Sequence, residues 1–205
     1  MNNILSTPYE KNRKHLTNML IDYKLHGYGV EIGVKQGEFS KHLLEHWRCM
    51  KLYLVDPWET QDSAVYDETH HDHSTDFLTC LNNIKPYDGK YEIVRDYSHN
   101  AYKEFKDEYF DFIYIDANHS YDAVKEDLEK WYPKLKQGGL IAGDDYTHTA
   151  EEPNLFNGYT FGVKKAVDEF ARIHKKNVSI DLTGEWYYKH SNGMLFPSRN
   201  WYFFK

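Results

Sequence analysis

The sequence predicts an α/β fold: a doubly wound, Rossmann-like, mostly parallel seven-stranded sheet that ends in a C-terminal antiparallel hairpin. Short apolar runs alternate with longer amphipathic segments along most of the chain, and this alternation implies parallel strands joined by right-handed crossovers. Residues 177–205 break the rhythm with two adjacent strand-like segments, which can pair only antiparallel. A chain of 205 residues is long enough for one α/β core. We therefore expect a single domain over residues 1–205.

Each element is predicted from its own pattern. Buried strands are indicated by runs rich in β-branched and aromatic residues, at 28–33, 51–56, 91–96, 109–116 and 138–144. Helices are indicated by apolar residues at helical spacing, at 37–47, 98–105, 121–135 and 162–176. Residues 1–27 are expected to form an N-terminal helical segment. The hairpin is predicted from the strand-like segments 177–190 and 200–205, separated by a polar turn and by Pro197.

Two stretches are expected to be substrate-side loops. Residues 58–85 follow the second predicted strand, and residues 146–160 follow the fifth. Long loops at the carboxyl ends of strands are where α/β proteins build substrate sites. The histidine-rich tetrapeptide 70–73 lies in the first loop, and its spacing matches no zinc or iron motif. We expect it to be a solvated part of a lid.

Composition excludes several classes of partner. The net charge of −7 argues against non-specific nucleic-acid binding, which needs a basic surface. The sequence shows no apolar run long enough to cross a membrane, so we expect no membrane partner. Cys49 and Cys80 have no metal or redox spacing and are expected to be buried thiols in the cytoplasm. The aromatic segment 200–205 suggests a homodimer contact, although packing against its own sheet explains it equally well.

The turn after the first strand predicts a nucleoside site. Gly33 and Gly37 let the backbone approach a ligand and open the next helix. The turn lacks the third glycine of a dinucleotide-binding motif, which favours an uncharged or zwitterionic nucleoside over a pyrophosphate. Asp56 ends the second strand, where a carboxylate can accept hydrogen bonds from both ribose hydroxyls. Asp96 ends the third strand, where an adenine would lie.

Four blocks of sequence resemble a known family. "VEIGVKQGEFSKHLLEHW", "LYLVDPWE", "FDFIYIDANHSYDAVKEDLEKWYPKLKQGGLIAGDDY" and "GVKKAVDEF" are similar to the class I S-adenosylmethionine-dependent methyltransferases. More narrowly, they resemble the small O-methyltransferases related to macrocin and sugar O-methyltransferases. The resemblance covers residues 29–205 and implies a methyl donor over the glycine turn. The donor-binding residues that it implies are Glu31, Gly33, Gly37, Ser40, Asp56, Trp58, Asp96, Tyr97, Ser98 and Asp116.

Three carboxylates at neighbouring strand ends suggest a metal site. Asp116 ends the fourth strand, and Asp144 with Asp145 ends the fifth. Like charges this close repel unless a cation lies among them, and Mg²⁺ or Mn²⁺ suits oxygen ligands. In related O-methyltransferases, groups at these strand ends hold an ion that activates the acceptor hydroxyl. The alternative is that Asp144 or Asp145 caps a turn or positions its neighbours.

Methyl transfer to an alcohol also needs a proton acceptor. Some relatives carry an acidic residue two positions after Asp116, but here that position is Asn118, which cannot take a proton. His119 is therefore the first expected base and His148 the second, with Asp116 as a further catalytic group. The competing interpretation is that each histidine only hydrogen-bonds backbone.

The function predicted from these features is S-adenosylmethionine-dependent O-methylation of a small polyhydroxylated acceptor, a sugar or glycan, assisted by a metal. A catechol or phenol acceptor is the nearest alternative. An NAD-linked oxidoreductase, a metal-dependent hydroxylase and a non-catalytic binding protein on the same fold are the other classes considered.

Overall fold

The computed structural model describes residues 9–61, 72–146, 161–189 and 195–205. The strands are β1 Tyr28–Ile32, β2 Lys51–Val55, β3 Tyr91–Val94, β4 Phe110–Ile115, β5 Leu135–Gly143, β6 Ser179–Lys189 and β7 Leu195–Phe204. The helices are α1 Tyr9–Asp22, α2 Glu38–His46, α3 His73–Ile84, α4 Ser98–Ala101, α5 Tyr121–Trp131 and α6 Val163–Ile173. Short 3₁₀ turns follow three of them, at Lys85–Tyr87, Tyr102–Glu104 and Tyr132–Lys134.

The seven strands form one sheet in the order β3-β2-β1-β4-β5-β7-β6. The first five strands of that order are parallel, while β7 is antiparallel to both β5 and β6. The predicted fold class is thus confirmed. Strand order reverses between β1 and β4, and in such sheets ligands bind in the crevice at the carboxyl ends of the strands around this point.

Both faces of the sheet are covered. In β4, Phe112 and Tyr114 face one core cluster, and Ile113 and Ile115 face the other. The first cluster is completed by α1, α2 and α3, and the second by α5 and α6. This two-sided burial explains why the central strands are continuous apolar runs.

Residues 73–84 form α3, so the prediction of a loop over the whole of 58–85 was wrong there. Asp72 caps the helix, because its side chain accepts hydrogen bonds from the backbone N–H groups of Ser74 and Thr75. Cys80 and Ile84 lie one turn apart and are buried against the sheet. The helix is the crossover between β2 and β3. Residues 62–71, with His70 and His71, and residues 147–160 lie outside the described part of the chain.

Proline shifts two element boundaries from their predicted places. The helix predicted over 121–135 ends at Trp131, because Pro133 enters a 3₁₀ turn. Pro197 lies inside β7, paired with Tyr187 of β6, and not between strands. The pairing of β7 with β5 begins only at Trp201, so Pro197 sits where the strand has one partner, a position that tolerates a missing N–H.

One further prediction concerns membranes. Among the described residues, no helix is both long enough and apolar enough to span a bilayer.

Candidate active site

The glycine turn joins β1 to α2 and lies against the end of β4. Gly33 has a φ of 84°, and a Cβ on it would lie 2.0 Å from the carbonyl oxygen of Asp116. Gly37 has a φ of 69°, and a Cβ there would lie 2.7 Å from the sulfur of Cys80. Both positions therefore need glycine, for backbone conformation and for space. The consequence is a turn packed directly onto the strand end that carries Asp116.

Asp56 holds this turn in place. Its Oδ2 accepts hydrogen bonds from the N–H groups of Val34 at 2.9 Å and Lys35 at 3.0 Å. Its Oδ1 accepts one from Trp58 at 2.7 Å. Burial raises the pKa of Asp56, and the three N–H donors act in the opposite direction by favouring the ionised form. The carboxylate predicted to bind ribose thus holds the glycine turn in its conformation.

The turn has further supports: one from Trp58, which the resemblance placed among the donor-binding residues, and two from α3, which the sequence analysis did not predict. Trp58 is buried, and its ring N–H donates to the carbonyl of Lys35 at 2.7 Å. The Gln36 side chain donates to Asp76 of α3 at 2.7 Å, and Asn83 of α3 donates to the Gln36 carbonyl at 2.9 Å. Helix α3 therefore stabilises the turn through these two hydrogen bonds.

Glu31 and Ser40 lie beneath the turn. Glu31 is on β1 and only 2% exposed, while Ser40 on α2 is fully buried. The Ser40 hydroxyl donates a hydrogen bond to the Glu31 carboxylate. This hydrogen bond links β1 to α2, the two elements that the glycine turn connects.

A second edge of the site follows β3. The Oδ1 of Asp96 accepts the N–H of Tyr97 at 2.7 Å. The Tyr97 hydroxyl donates to Glu59, and this bond raises the pKa of Tyr97 to about 12. Arg95 donates to two carbonyls of the segment after β2, those of Pro57 and Trp58, both at 3.2 Å. The segments after β2 and β3 are therefore tied together, with Ser98 at the start of α4 beside them.

The third group of residues brings two strand ends and a histidine together. The Nε2 of His119 lies 3.5 Å from Oδ1 of Asp116 and 3.4 Å from Oδ2 of Asp145. One donor atom from each of the three residues lies within 4.8 Å of the other two. The side chains are partly accessible, with 12% of His119 and 21% of Asp116 exposed. We call this set the Asp–His–Asp cluster.

His119 is held in place by contacts distant in sequence. Its ring stacks on Phe161, with ring centroids 4.7 Å apart and an interplanar angle of 18°. Its carbonyl accepts the N–H of Gly162 at 2.8 Å. Asn118 turns the chain into α5 by accepting the N–H of Ser120 at 2.9 Å. The segment before α6 thus holds His119 in its position within the cluster.

The two neighbouring carboxylates after β5 have different surroundings. Asp144 is 6% exposed, and its Oδ1 accepts the N–H of Asp145 at 2.8 Å. Asp145 has a φ of 50°, in the left-handed region that non-glycine residues seldom adopt. In this conformation Asp145 is in the cluster and Asp144 is outside it. His148, the second predicted base, lies outside the described residues.

Tyr146 anchors the end of β5. It is buried, its hydroxyl donates to Asp168 of α6, and its N–H donates to the Arg199 carbonyl at 3.0 Å. These bonds fasten the chain immediately after Asp145 to α6 and β7. The sequence analysis did not identify Tyr146, although its position directly after the acidic pair was a usable signal.

A glycine turn after β1, an acidic residue at the end of β2 and a polar cluster at the ends of β4 and β5 define a class I S-adenosylmethionine-dependent methyltransferase. Residues 30–146 match the family model described as "Methyltransferase domain", and the chain belongs to that family. The prediction of an S-adenosylmethionine-dependent methyltransferase is confirmed. No curated protein matches the sequence.

Solved structures show the same fold at low sequence identity. An O-methyltransferase from Bacillus cereus in complex with S-adenosylhomocysteine (SAH) is similar with a TM-score of 0.62 and 15% identity, over 100% of this chain and 84% of that one. A protein assigned as a caffeoyl-CoA O-methyltransferase, from Staphylococcus aureus, has a TM-score of 0.62 and 12% identity, over 94% and 82%. A precorrin-6y C5,15-methyltransferase from Geobacter metallireducens has a TM-score of 0.60 and 13% identity, over 100% and 92%. These likenesses show the fold alone.

Proposed function

We propose that the protein transfers the methyl group of S-adenosylmethionine to a hydroxyl oxygen of a small polyhydroxylated acceptor, a sugar or glycan. The observation that carries this proposal is the Asp–His–Asp cluster at the ends of β4 and β5. An alcohol hardly ionises near neutral pH, so a methyltransferase acting on oxygen needs a group that removes or stabilises the proton. Because Gly33 packs on the backbone of Asp116, a donor over the glycine turn would lie beside this cluster.

The cluster also fits a divalent ion. Ligands about 2.1 Å from one octahedral ion are roughly 3 to 4 Å apart, and the cluster distances of 3.4 and 3.5 Å lie in that range. With a neutral imidazole the two carboxylates leave a net charge of −2, which a divalent ion would balance. Asp116, His119 and Asp145 would then hold the ion. An imidazole in the set favours Mn²⁺ or Zn²⁺ over Mg²⁺.

A bound ion would lower the pKa of the acceptor hydroxyl. In that arrangement His119 is a ligand, and Asp144 positions Asp145 through the 2.8 Å bond. If the reaction proceeds without an ion, the Nε2 of His119 is the group placed to take the proton. Asp116 and Asp145 would stabilise the imidazolium that forms. Both arrangements serve O-methylation, and one experiment separates them.

The donor site is proposed to be the edge from the glycine turn to β3. Asp56 would face the ribose through the one acceptor position on Oδ1 that the three N–H donors leave, and the segment Asp96–Ser98 would face the adenine. The likeness of the fold to a protein that binds SAH supports this placement. A phenolic acceptor is the second candidate, supported by the likeness to a protein assigned as a caffeoyl-CoA O-methyltransferase. Vicinal hydroxyls of a sugar and of a catechol offer the same pair of oxygens to an ion.

The test measures methyl transfer from radiolabelled S-adenosylmethionine to a panel of monosaccharides, glycosides and catechols. Each reaction is run after EDTA treatment and again with added Mn²⁺, Zn²⁺ or Mg²⁺. Activity restored by a metal and abolished by His119→Ala supports the ligand arrangement. Metal-independent activity that depends on His119 supports the base arrangement. Methyl transfer that is unchanged in His119→Ala and in Asp145→Asn would contradict the proposal. The control is Asp122→Asn, on the exposed face of α5, which should keep wild-type activity.

A cytoplasmic location and a homodimer remain predictions of the sequence analysis. Light scattering on the purified protein tests the second.

A further inference from the structure

Arg199 carries a positive charge that no residue of the described chain balances. Its Nε is buried without a hydrogen-bond acceptor, and within the described ranges its guanidinium forms no ion pair. The residue as a whole is partly exposed, so the terminal nitrogens are the part of the group that a ligand can reach. A charge that is partly withdrawn from water and unpaired lowers stability, and a ligand that pairs with it recovers the lost interaction.

The backbone of β7 places Arg199 beside the Asp–His–Asp cluster. Gly143, the last residue of β5, pairs with Trp201 of the antiparallel β7. Continuing this register by two residues brings Arg199 level with Asp145 of the cluster. The carbonyl of Arg199 accepts the N–H of Tyr146 at 3.0 Å. This part of β7 is therefore fastened to the chain immediately after the cluster.

Arg199 lies on the face of the sheet that also supports the histidine. Alternate residues of a strand share a face, so Arg199 shares its face with Trp201. Trp201 belongs to the core cluster that contains Phe161, on which the ring of His119 stacks. The cation and the imidazole are thus at the same end and on the same side of the sheet.

A bulge in β6 lies opposite Arg199. Asp181 pairs with Asn200 and Trp186 pairs with Ser198, so residues 182–185 of β6 lie opposite Arg199 alone. A bulge bends its strand and interrupts the regular pairing, and bulges beside active sites redirect side chains. Arg199 therefore has no regular cross-strand neighbour in β6, which leaves space for a ligand group at this edge of the site.

We propose that Arg199 binds an anionic group of the acceptor, a carboxylate or a phosphate, and thereby makes acidic acceptors the preferred substrates. This inference rests on the proposed O-methylation at the Asp–His–Asp cluster and names its substrate class. The planar guanidinium presents its N–H donors in a fork that matches two oxygens of a carboxylate or phosphate. The carboxylates of Asp116 and Asp145 repel an anion, so an acidic acceptor needs a cation close to the cluster.

The test compares acceptors that differ in charge, using methyl transfer from radiolabelled S-adenosylmethionine. For glucosides, galactosides and mannosides, the methyl uronide and the methyl glycoside phosphate are each compared with the neutral methyl glycoside, and protocatechuate is compared with catechol. We expect wild type to prefer the acidic member by at least about tenfold in kcat/KM, the order expected for a hydrogen-bonded charge pair. Arg199→Met should reduce this preference to about twofold or less, by raising KM for the acidic member.

The control is Arg172→Met, the same substitution at an exposed position of α6, which should keep the wild-type preference. A preference confined to carboxylates or to phosphates supports the inference and identifies the anion. Equal use of acidic and neutral acceptors by wild type overturns it while the proposed O-methylation stands, and so does a preference that Arg199→Met retains.

Two further outcomes are distinguishable from these. If none of the acceptors is methylated although SAH binds in calorimetry, the proposed function is overturned and the inference with it. If Arg199→Met does not fold, as judged by circular dichroism, Arg199→Lys decides. An ammonium keeps the charge without the fork, so Arg199→Lys should lose at least about threefold of the preference; an unchanged preference in this variant would then overturn the inference.

Discussion

Replacing Asp127 by asparagine should change how stability depends on pH. Burial raises the pKa of this carboxyl from its ordinary value of 3.8 to about 7, although the hydrogen bond from Ser98 acts in the other direction. Asparagine has nearly the same shape and does not titrate. The substitution therefore removes the titration while leaving the packing of α5 largely unchanged.

The sign follows from proton linkage. Between pH 3.8 and about 7 the folded protein holds a proton on Asp127 that the unfolded chain has released. The stability contributed by this group is complete below pH 3.8 and is lost as pH rises through the folded pKa. Between these two pKa values, each unit of pH lowers the free energy of unfolding by about 1.4 kcal/mol. From pH 5 to pH 8, the wild-type free energy of unfolding should therefore fall by roughly 2 to 3 kcal/mol on account of Asp127 alone.

Urea denaturation of wild type and Asp127→Asn at pH 5 and pH 8 measures this effect as a difference of differences. Any pH-independent cost of the amide cancels, as does the titration of every other group that the substitution leaves unaffected. We expect the free energy of unfolding of the variant to rise by roughly 2 to 3 kcal/mol relative to wild type between the two pH values. Glu129→Gln, exposed on the same helix, should show no such gain. A constant difference between Asp127→Asn and wild type across this range would refute the reasoning, because Asp127 would then be ionised at both pH values.

Three further predictions concern the site and the C-terminal residue. Asp145→Asn should lower the rate of methyl transfer by at least about 100-fold. Asp144→Asn should lower it by about tenfold or less, because asparagine keeps an oxygen that can accept the N–H of residue 145. Equal losses of the two variants in the kinetic assay would make Asp144 a ligand. In thermal unfolding, Gly33→Ala should lower the free energy of unfolding by at least about 2 kcal/mol more than Gly89→Ala. Both glycines have positive φ, but only a Cβ on Gly33 would meet backbone atoms, those of Asp116 at the end of β4. Equal losses in the two variants would contradict the packing argument. Lys205→Met should lower the free energy of unfolding in urea by about 2 kcal/mol, because the ammonium donates to two carbonyls of the 3₁₀ turn before β5 and to the carbonyl of the first β5 residue. An unchanged midpoint would show that these bonds contribute nothing.

The sheet could be predicted because its signal is local. Strands buried on both faces are continuous apolar runs, and the alternation with helices leaves few topologies. Helix α3 was missed because its apolar face is short and its first turn, from His73 to Asp76, is polar. Phe77, Cys80 and Ile84 nevertheless follow helical spacing, with Asp72 as the cap, so the information was present.

The supports of the site could not be predicted in the same way. Asp116 and Asp145 follow from the rule that parallel strands end at one edge of a sheet. The place of His119 depends on Phe161, which is far away in sequence and lies before another helix. Asp127 stands out only as an acid on an apolar helix face, and its burial becomes visible once α4 and α5 are packed together. Such pairs depend on tertiary packing, which periodicity does not encode.

In the adjacent carboxylates Asp144 and Asp145, backbone conformation places two residues of the same type in different surroundings. Side chains of consecutive residues in a regular strand point to opposite faces of the sheet, so β5 could not present both acids to one point if it simply continued. The strand instead ends at Gly143, and Asp145 takes a left-handed conformation that costs about 1 kcal/mol or more. The 2.8 Å hydrogen bond to Asp144 and the anchoring of Tyr146 offset that cost. Asp144 thereby directs Asp145 toward His119, and the repulsion expected of two neighbouring acids is reduced because only one of them enters the cluster.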